Sequence, residues 1–222
     1  MNKHDFSEII QIFEKILPSY IWTKNFTPFE TLIATILTQN TSDKNAMQAF
    51  KKLKMKFMLT PHVLAKTDEK KIMECIKPAG LHIIRSKRII NVSSFIEKNY
   101  DGEITNILNY PLPEARKKLL DIPGVGKKTA DIFLNFVGGM PVFPIDTHID
   151  RISKRLDLVN SKAKYEEIRQ CLEFLTPKEQ LSKAHILMIN FGRQYCKALS
   201  PLCSKCPINQ KCKYYADSKS KV

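Results

Sequence analysis

Four cysteines near the end of the chain have a spacing that suits a metal centre. Cys196, Cys203, Cys206 and Cys212 follow one another as C-x6-C-x2-C-x5-C, in a 222-residue chain with only two other cysteines. Four thiolates can hold either a zinc ion or an iron-sulfur cluster, and C-x2-C occurs in both kinds of site. The spacing by itself favours zinc and leaves both alternatives open.

A second candidate site is the turn "DIPGVGKKT", which lies between two segments with helical patterning. Gly124-Val125-Gly126 makes a tight turn in which positive φ is permitted, and a second helix follows it. Backbone N–H groups at the start of that helix can approach a phosphate closely, because the glycines lack side chains and the helix dipole favours an anion. The alternative is a structural helical hairpin. Phosphate contact is favoured by the residues directly behind the glycines: Lys127, Lys128 and Thr129.

A lysine and an aspartate are predicted to lie at the starts of two helices. Lys128 follows the glycine turn, and Asp146 precedes the helical pattern "HIDRISKRLDL", for which it or Thr147 is a suitable N-cap. A lysine near a helix N-terminus and partly shielded from water has its charged form disfavoured, so a nucleophilic amine becomes available. An aspartate there is favoured as the carboxylate, which can stabilise positive charge and act as a base. On local sequence alone, a solvated lysine and a capping aspartate are the simpler interpretation.

The net charge of the chain indicates what such a site would act on. Thirty-six Lys and Arg against twenty-two Asp and Glu give a formal net charge of +14. An excess of positive charge of this size indicates that the protein binds a polyanion, and the usual polyanion inside a cell is nucleic acid. The alternative is a solvated, lysine-rich surface. In a DNA-binding protein, an amine and a carboxylate that face one cleft suit attack at a sugar C1′.

Helical patterning along the chain predicts an all-α protein. Segments such as "FSEIIQIFEKIL" and "PFETLIATILTQ" repeat apolar residues at three and four positions, and clear period-two alternation is absent. No apolar run is long enough to predict a membrane span, and the first residues lack the order of a signal peptide. We therefore expect an intracellular, globular protein whose clustered cysteines are metal ligands and not disulfides.

Three motifs together resemble the endonuclease III group of helix-hairpin-helix DNA glycosylases. They are "LLDIPGVGKKTADIFLNF", "PIDTHIDRISKRL" and the cysteine tail, with the same interval between Lys128 and Asp146 as in that family. The resemblance extends from about Phe26 to Tyr215. It implies that the four cysteines ligate a [4Fe-4S] cluster, which reverses the preference for zinc.

The resemblance also implies a role for each matching residue. Lys128 corresponds to the Schiff-base lysine and Asp146 to the essential aspartate. Gln39 matches the glutamine that fills the gap left by an extruded nucleotide, and Leu81 matches an apolar wedge near the opposite base, so that insertion repays part of the cost of flipping. The alternative for Leu81 is a half-buried loop residue. The predicted DNA contacts are Gly124, Val125, Gly126, Lys127, Thr129, Gln39, Leu81 and Arg193.

The family architecture implies two helical lobes with a DNA cleft between them. One would be a six-helix barrel over residues 23–138, with the helix-hairpin-helix at about 112–137. The other would combine residues 1–22 with residues 139–222 and carry the cluster loop, 196–212. Lys128 and Asp146 would then come from opposite lobes.

Some positions depart from the type enzyme of the family. His82 stands where that enzyme has a tyrosine, and Phe191 where it has a histidine. The segment "QNTSDKNA" is closer to archaeal members of the group. These departures leave the residues of the damage pocket open.

We therefore predict a base-excision-repair DNA glycosylase with AP lyase activity. Its partner would be duplex DNA with a damaged base or an abasic site, and it would act as a monomer in the cytoplasm of a prokaryotic cell, at the nucleoid and without a membrane partner. Oxidised pyrimidines are the default substrate, and the alternatives are uracil or thymine opposite guanine and damaged purines. An alternative of another class is a catalytically weak DNA-binding protein whose cluster responds to redox state.

Overall fold

A computed structural model describes residues 2–19 and 25–219 of the chain. Every regular element within these ranges is a helix, which confirms the predicted all-α class. None of these helices is both long enough and apolar enough to span a membrane. Backbone contacts divide the chain into two units, Trp22–Met140 on the one hand and Met1–Ile21 with Pro141–Val222 on the other.

The described part of the chain contains twelve α-helices. In chain order they are α1 (Lys3–Ile16), α2 (Pro28–Thr38), α3 (Asp43–Lys56), α4 (Pro61–Lys66), α5 (Glu69–Ile76), α6 (His82–Tyr100), α7 (Leu112–Leu120), α8 (Lys127–Phe136), α9 (Thr147–Arg155), α10 (Tyr165–Leu175), α11 (Leu181–Gln194) and α12 (Lys213–Lys219). Short 3₁₀ turns lie at Lys77–Ala79, Ile104–Asn109, Lys178–Gln180, Cys203–Lys205 and Asn209–Lys211.

The starts of several helices follow from side chains that bind the first backbone N–H groups. At α2, Thr27 accepts from the N–H of Glu30 at 3.2 Å, and the Glu30 carboxylate accepts from the N–H of Thr27 at 3.0 Å. Pro28 occupies the first turn, where its missing N–H costs nothing. Asn2 and Asp5 form the same reciprocal pair at α1. These bonds determine where each helix begins.

Helix α2 is the central element of the unit Trp22–Met140. Nine of its eleven residues are buried, and it packs against α3, α6 and α8. A helix that is buried on nearly all sides must be surrounded by neighbours. The carboxyl end of this rigid helix places Gln39, which is its C-cap residue.

A buried ion pair holds the helical hairpin of α7 and α8. Arg116 donates from Nε to Asp131 Oδ1 at 2.6 Å and from Nη2 to Oδ2 at 3.2 Å. Asp131 is fully buried, and two parallel bonds to one carboxylate fix orientation as well as distance. The pair therefore sets the angle at which the two helices flank the turn at 121–126.

The other unit has its own apolar core, to which α1, α9, α10 and α11 contribute. The ring of Phe191 in α11 stacks on that of Phe13 in α1, with the centroids 4.1 Å apart. Phe191 is 2% exposed, so this departure from the type enzyme is a core residue that joins two helices. The thiol of Cys171 in α10 is half-buried, and burial raises its pKa.

Candidate active site and cysteine cluster

The turn between α7 and α8 contains one glycine with a positive φ and one glycine that borders open space. Gly124 has a φ of +91°, in the region that favours glycine, whereas Gly126 has a φ of −93° and needs no such freedom. A Cβ at Gly126 would meet nothing within 4 Å. The positive φ expected for this turn therefore occurs at Gly124, and Gly126 leaves space beside the start of α8. Val125 is buried, and its N–H donates to the carbonyl of Ile122 at 3.0 Å.

Lys127, Lys128 and Thr129 form the first turn of α8, and each has a different environment. Lys127 is exposed, Lys128 is half-buried and Thr129 is buried. The hydroxyl of Thr129 accepts from Nε2 of Gln39 at 3.2 Å. The hydroxyl of Thr129 is therefore bound inside the protein and does not face solvent.

Gln39 and Leu81 both lie in turns next to helices of the same unit. Gln39 follows α2, and Leu81 is the N-cap residue of α6, with a φ of +49°. Leu81 is 55% exposed, as is Ile83, and Ile84 is 59% exposed. Leu81 is thus more exposed than the half-buried alternative requires, and three apolar side chains at the start of α6 face solvent together.

Asp146 is the residue that caps α9. Its Oδ1 atom accepts from the N–H groups of His148 and Ile149, both at 2.9 Å, and the residue is half-buried. These two bonds satisfy N–H groups in the first turn of α9 and hold the Asp146 carboxylate at the start of that helix. Asp146 belongs to the unit that contains Pro141–Val222, whereas Lys128 belongs to Trp22–Met140.

A histidine and an arginine support the first turn of α9. Nη2 of Arg151 lies 3.0 Å from Nδ1 of His148, and Nε donates to the carbonyl of Cys196 at 2.9 Å. Burial lowers the pKa of His148, which suits a neutral ring that accepts at Nδ1. A Cβ at Gly192 would lie 2.8 Å from the ring, so α11 can approach only because this residue is glycine.

The four tail cysteines line one cavity. Cys196 follows α11, Cys203 and Cys206 lie at the ends of a short 3₁₀ turn, and Cys212 precedes α12. All four are free of disulfides. Across the residues that the structure describes, no three of these sulfur atoms lie within 4.8 Å of one another. The sulfurs therefore surround a common space and do not converge on a point.

The groups around this cavity affect how readily its cysteines become thiolates. Burial raises the pKa of Cys206 to about 11, and the neighbouring cysteines act in the same direction. Burial also raises the pKa of Cys212. A bound metal centre would reverse both shifts, since metal-ligating thiols are deprotonated. Arg155 places a positive charge beside one of these sulfurs, since its Nη1 donates to Sγ of Cys196 at 3.3 Å. This charge favours the thiolate form that a metal ligand needs.

Four arginines at these sites were not predicted from the sequence. Arg151 and Arg155 are four residues apart on α9. Arg85 and Arg88, which both donate to Gln39, are three residues apart on α6, so each pair shares a helix face. This spacing indicates that the two arginines of each pair lie on one face of a helix, but it does not distinguish a buried arginine from a solvated one. Arg193, which was predicted to contact DNA, is exposed in the last turn of α11.

Comparisons with known proteins agree with the motifs. The sequence pattern of the HhH-GPD superfamily base excision DNA repair proteins matches residues 33–178. Endonuclease III of Sulfolobus acidocaldarius is 37% identical over 206 residues, which is 92% of this chain and 90% of that protein. Endonuclease III of Thermotoga maritima is 35% identical over 192 residues, covering 86% of this chain and 85% of that protein. A trapped covalent intermediate of endonuclease III with DNA superimposes with a TM-score of 0.85 at 29% identity, over 99% of both chains.

The chain therefore belongs to the endonuclease III family within the HhH-GPD superfamily. This confirms the predicted class, a base-excision-repair DNA glycosylase of the bifunctional glycosylase and AP lyase type that acts on duplex DNA. The family is known to carry a [4Fe-4S] cluster, and the tail of this chain holds the four cysteines.

Proposed function

We propose that the chain releases damaged bases from duplex DNA with Lys128 as the nucleophile and Asp146 as the stabilising carboxylate. The observation that carries this proposal is the position of Lys128, half-buried in the first turn of α8 and directly behind the open glycine turn. The N–H groups of that turn favour a phosphate, so a DNA backbone held there would bring a sugar near the amine.

The proposed reaction begins with attack of the Lys128 amine on C1′ of an extruded nucleotide. The bond between C1′ and the base nitrogen breaks, the base leaves with the electron pair, and opening of the sugar gives a protonated imine between lysine and C1′. Loss of a proton from C2′ then expels the 3′ phosphate and breaks the strand. Asp146 stabilises the positive charge that develops on the sugar and assists proton transfer.

The remaining predicted contacts would hold and distort the duplex. The first-turn N–H groups of α8, together with Lys127 and Arg193, would bind phosphates, which positions the DNA without reading its sequence. Gln39 would fill the gap left by the extruded nucleotide, and the exposed Leu81 would act as the wedge.

The cysteine set fits a [4Fe-4S] cluster better than a zinc ion. Four sulfurs at about 2.3 Å from one tetrahedral zinc would lie about 3.8 Å apart. Among the residues that the structure describes, no three of the tail sulfurs lie within 4.8 Å of one another, and all four line a shared cavity with apolar residues such as Ile152 and Ile208. When bound, the cluster would join the segments of the loop at 196–212 by its bonds to Cys196, Cys203, Cys206 and Cys212.

Purified protein is expected to be yellow-brown, with a broad visible absorption band from charge transfer between thiolate and iron. Cys203→Ala or Cys206→Ala should remove the band and reduce solubility and DNA affinity, because the loop then exposes its apolar contacts. Cys75→Ser is the matched control, since Cys75 is buried in α5 of the other unit. Absorption spectra and metal analysis distinguish an iron-sulfur cluster from a zinc ion. A colourless, folded and active protein with one zinc per chain would contradict the cluster.

The expected substrates are oxidised pyrimidines in the DNA of a prokaryotic cytoplasm. We expect strand nicking when the protein is incubated with duplexes that each carry one defined lesion, with the oxidised pyrimidine duplex cut fastest. The panel should include uracil and thymine opposite guanine, an oxidised purine and an alkylated purine. Faster nicking of one of these would reassign the substrate, and release of base from none of them would overturn the proposed function.

A further inference from the structure

Two arginines on one face of α6 make the contacts that carry a further inference. The side chain of Arg85 is buried, at 2% exposed. Its guanidinium donates to three backbone carbonyls in two different turns, those of Gln39, Ala79 and Gly80, the last at 2.7 Å. One rigid group therefore joins the turn that contains Gln39 to the turn that precedes Leu81.

Arg88 extends the same set of contacts to the turn between α7 and α8. Its Nη1 donates to Oε1 of Gln39, whose Nε2 donates to Thr129. A Cβ at Gly124 would lie 2.5 Å from Cγ of Arg88, so the arginine passes over the turn only because that residue is glycine. The amide of Gln39 is thus held from both sides, next to the residue that follows Lys128.

The backbone of both turns requires such support. Asn40, directly after Gln39, has a φ of +51°, and Leu81, directly after Gly80, has a φ of +49°. Residues other than glycine occupy this region sparsely, and surrounding contacts must hold them there. The bonds from Arg85 are made to the carbonyls immediately before these two residues.

A buried charge is an expensive way to hold two turns together. No carboxylate pairs with Arg85 in the parts of the chain that the structure describes, and carbonyl oxygens are its acceptors. Burial and the charge of Arg88 both lower the pKa of Arg85, although a guanidinium stays protonated. Carbonyls at the ends of helical turns carry partial negative charge, which compensates the cation in part.

We propose that Arg85 and Arg88 are positioning residues for base extrusion, which hold Gln39, Leu81 and the glycine turn in one fixed arrangement before DNA binds. The inference rests on the proposed function, because it assumes that Gln39 and Leu81 enter the duplex. A fixed pair of inserting groups stabilises the extruded state without first being ordered. Its contribution is largest where extrusion must break a stable base pair and smallest where the base is already unpaired.

The test compares release of the same lesion from two duplexes. One duplex carries the lesion opposite the base with which it pairs, and the other carries it opposite a base with which it does not pair. Arg85→Met removes the guanidinium and keeps most of the volume. In single-turnover assays we expect a loss of about tenfold or more on the paired duplex and of less than about threefold on the unpaired one. The ratio of the rate on the paired duplex to the rate on the unpaired duplex should also fall in Arg88→Met. In Arg85→Lys this ratio should return part of the way to the wild-type value.

Lys87→Met is the matched control, since Lys87 is exposed on the same helix and its substitution deletes a charge without touching the turns. Circular dichroism and Tm show whether each variant folds. If Arg85→Met does not fold, the test uses Arg88→Met and Arg85→Lys instead. Equal losses on both duplexes would overturn the inference and assign Arg85 a structural role. Failure of the wild-type protein to release any base would instead overturn the proposed function, and with it the assumption behind this inference.

Discussion

Borohydride is expected to trap wild-type protein covalently on duplex DNA that carries a lesion or an abasic site. An imine between the Lys128 amine and C1′ is reducible to a stable secondary amine, whereas hydrolysis by water leaves nothing to reduce. Lys128→Gln should abolish the adduct, because the side chain keeps a similar length but has no nucleophilic amine. Affinity for the lesion duplex should be retained. Denaturing gels measure the adduct, and gel-shift titrations measure the affinity.

Lys127→Gln is the matched control for this substitution. Lys127 precedes Lys128 in the same helical turn and is exposed, so its loss should weaken binding to damaged and undamaged duplex alike. The adduct should still form at saturating protein. If wild-type protein released base without any adduct, Lys128 would not be a nucleophile and the enzyme would be a glycosylase without the proposed lyase step. An adduct that survives Lys128→Gln would assign the nucleophile to another residue.

Asp146→Asn is expected to reduce base release by roughly 10²- to 10³-fold, the scale of losing one charged group that faces a transition state. Asparagine still accepts the N–H groups of His148 and Ile149 at the start of α9, so the helix remains capped and the fold intact. What is lost is the negative charge that faces the developing cation on the sugar. Single-turnover release of the base at saturating protein measures this effect, and Tm checks the fold.

Asp150→Asn is the control for the general effect of removing a negative charge from α9. Asp150 pairs with Lys154 at 2.8 Å one turn further along the helix, and its side chain is 41% exposed. We expect a change of less than about twofold in base release, since an exposed pair of this kind contributes little. A similar loss in both variants would mean that Asp146 acts only through the overall charge of the helix.

Helix boundaries and the elements of the site were predictable where the deciding contacts are local. Thr27 and Glu30 are three residues apart, and Asp146 binds N–H groups two and three residues ahead. The glycine turn was predictable because only glycine enters positive φ easily, although the structure places that φ at Gly124 and leaves Gly126 extended. The all-helical class followed from apolar spacing along the chain.

The supporting residues of the site were not predictable in this way. Arg85 and Arg88 bind Gln39 across 46 and 49 residues, and Arg151 binds the carbonyl of Cys196 across 45. A helical pattern gives the face on which an arginine lies, but not whether another helix covers that face or which carbonyl it meets there. Phe191 illustrates the same limit, since its stacking on Phe13 depends on how α11 packs on α1.

Spacing in the sequence therefore determined the helices, the hairpin turn, the capping aspartate and the set of four cysteines, because each depends on residues close together along the chain. Only the tertiary structure decided that the sulfurs line one cavity, that the buried Thr129 binds Gln39 and that a buried guanidinium joins two turns. These features depend on packing between segments that are distant in sequence, where many arrangements satisfy the same local pattern and the burial of side chains selects among them.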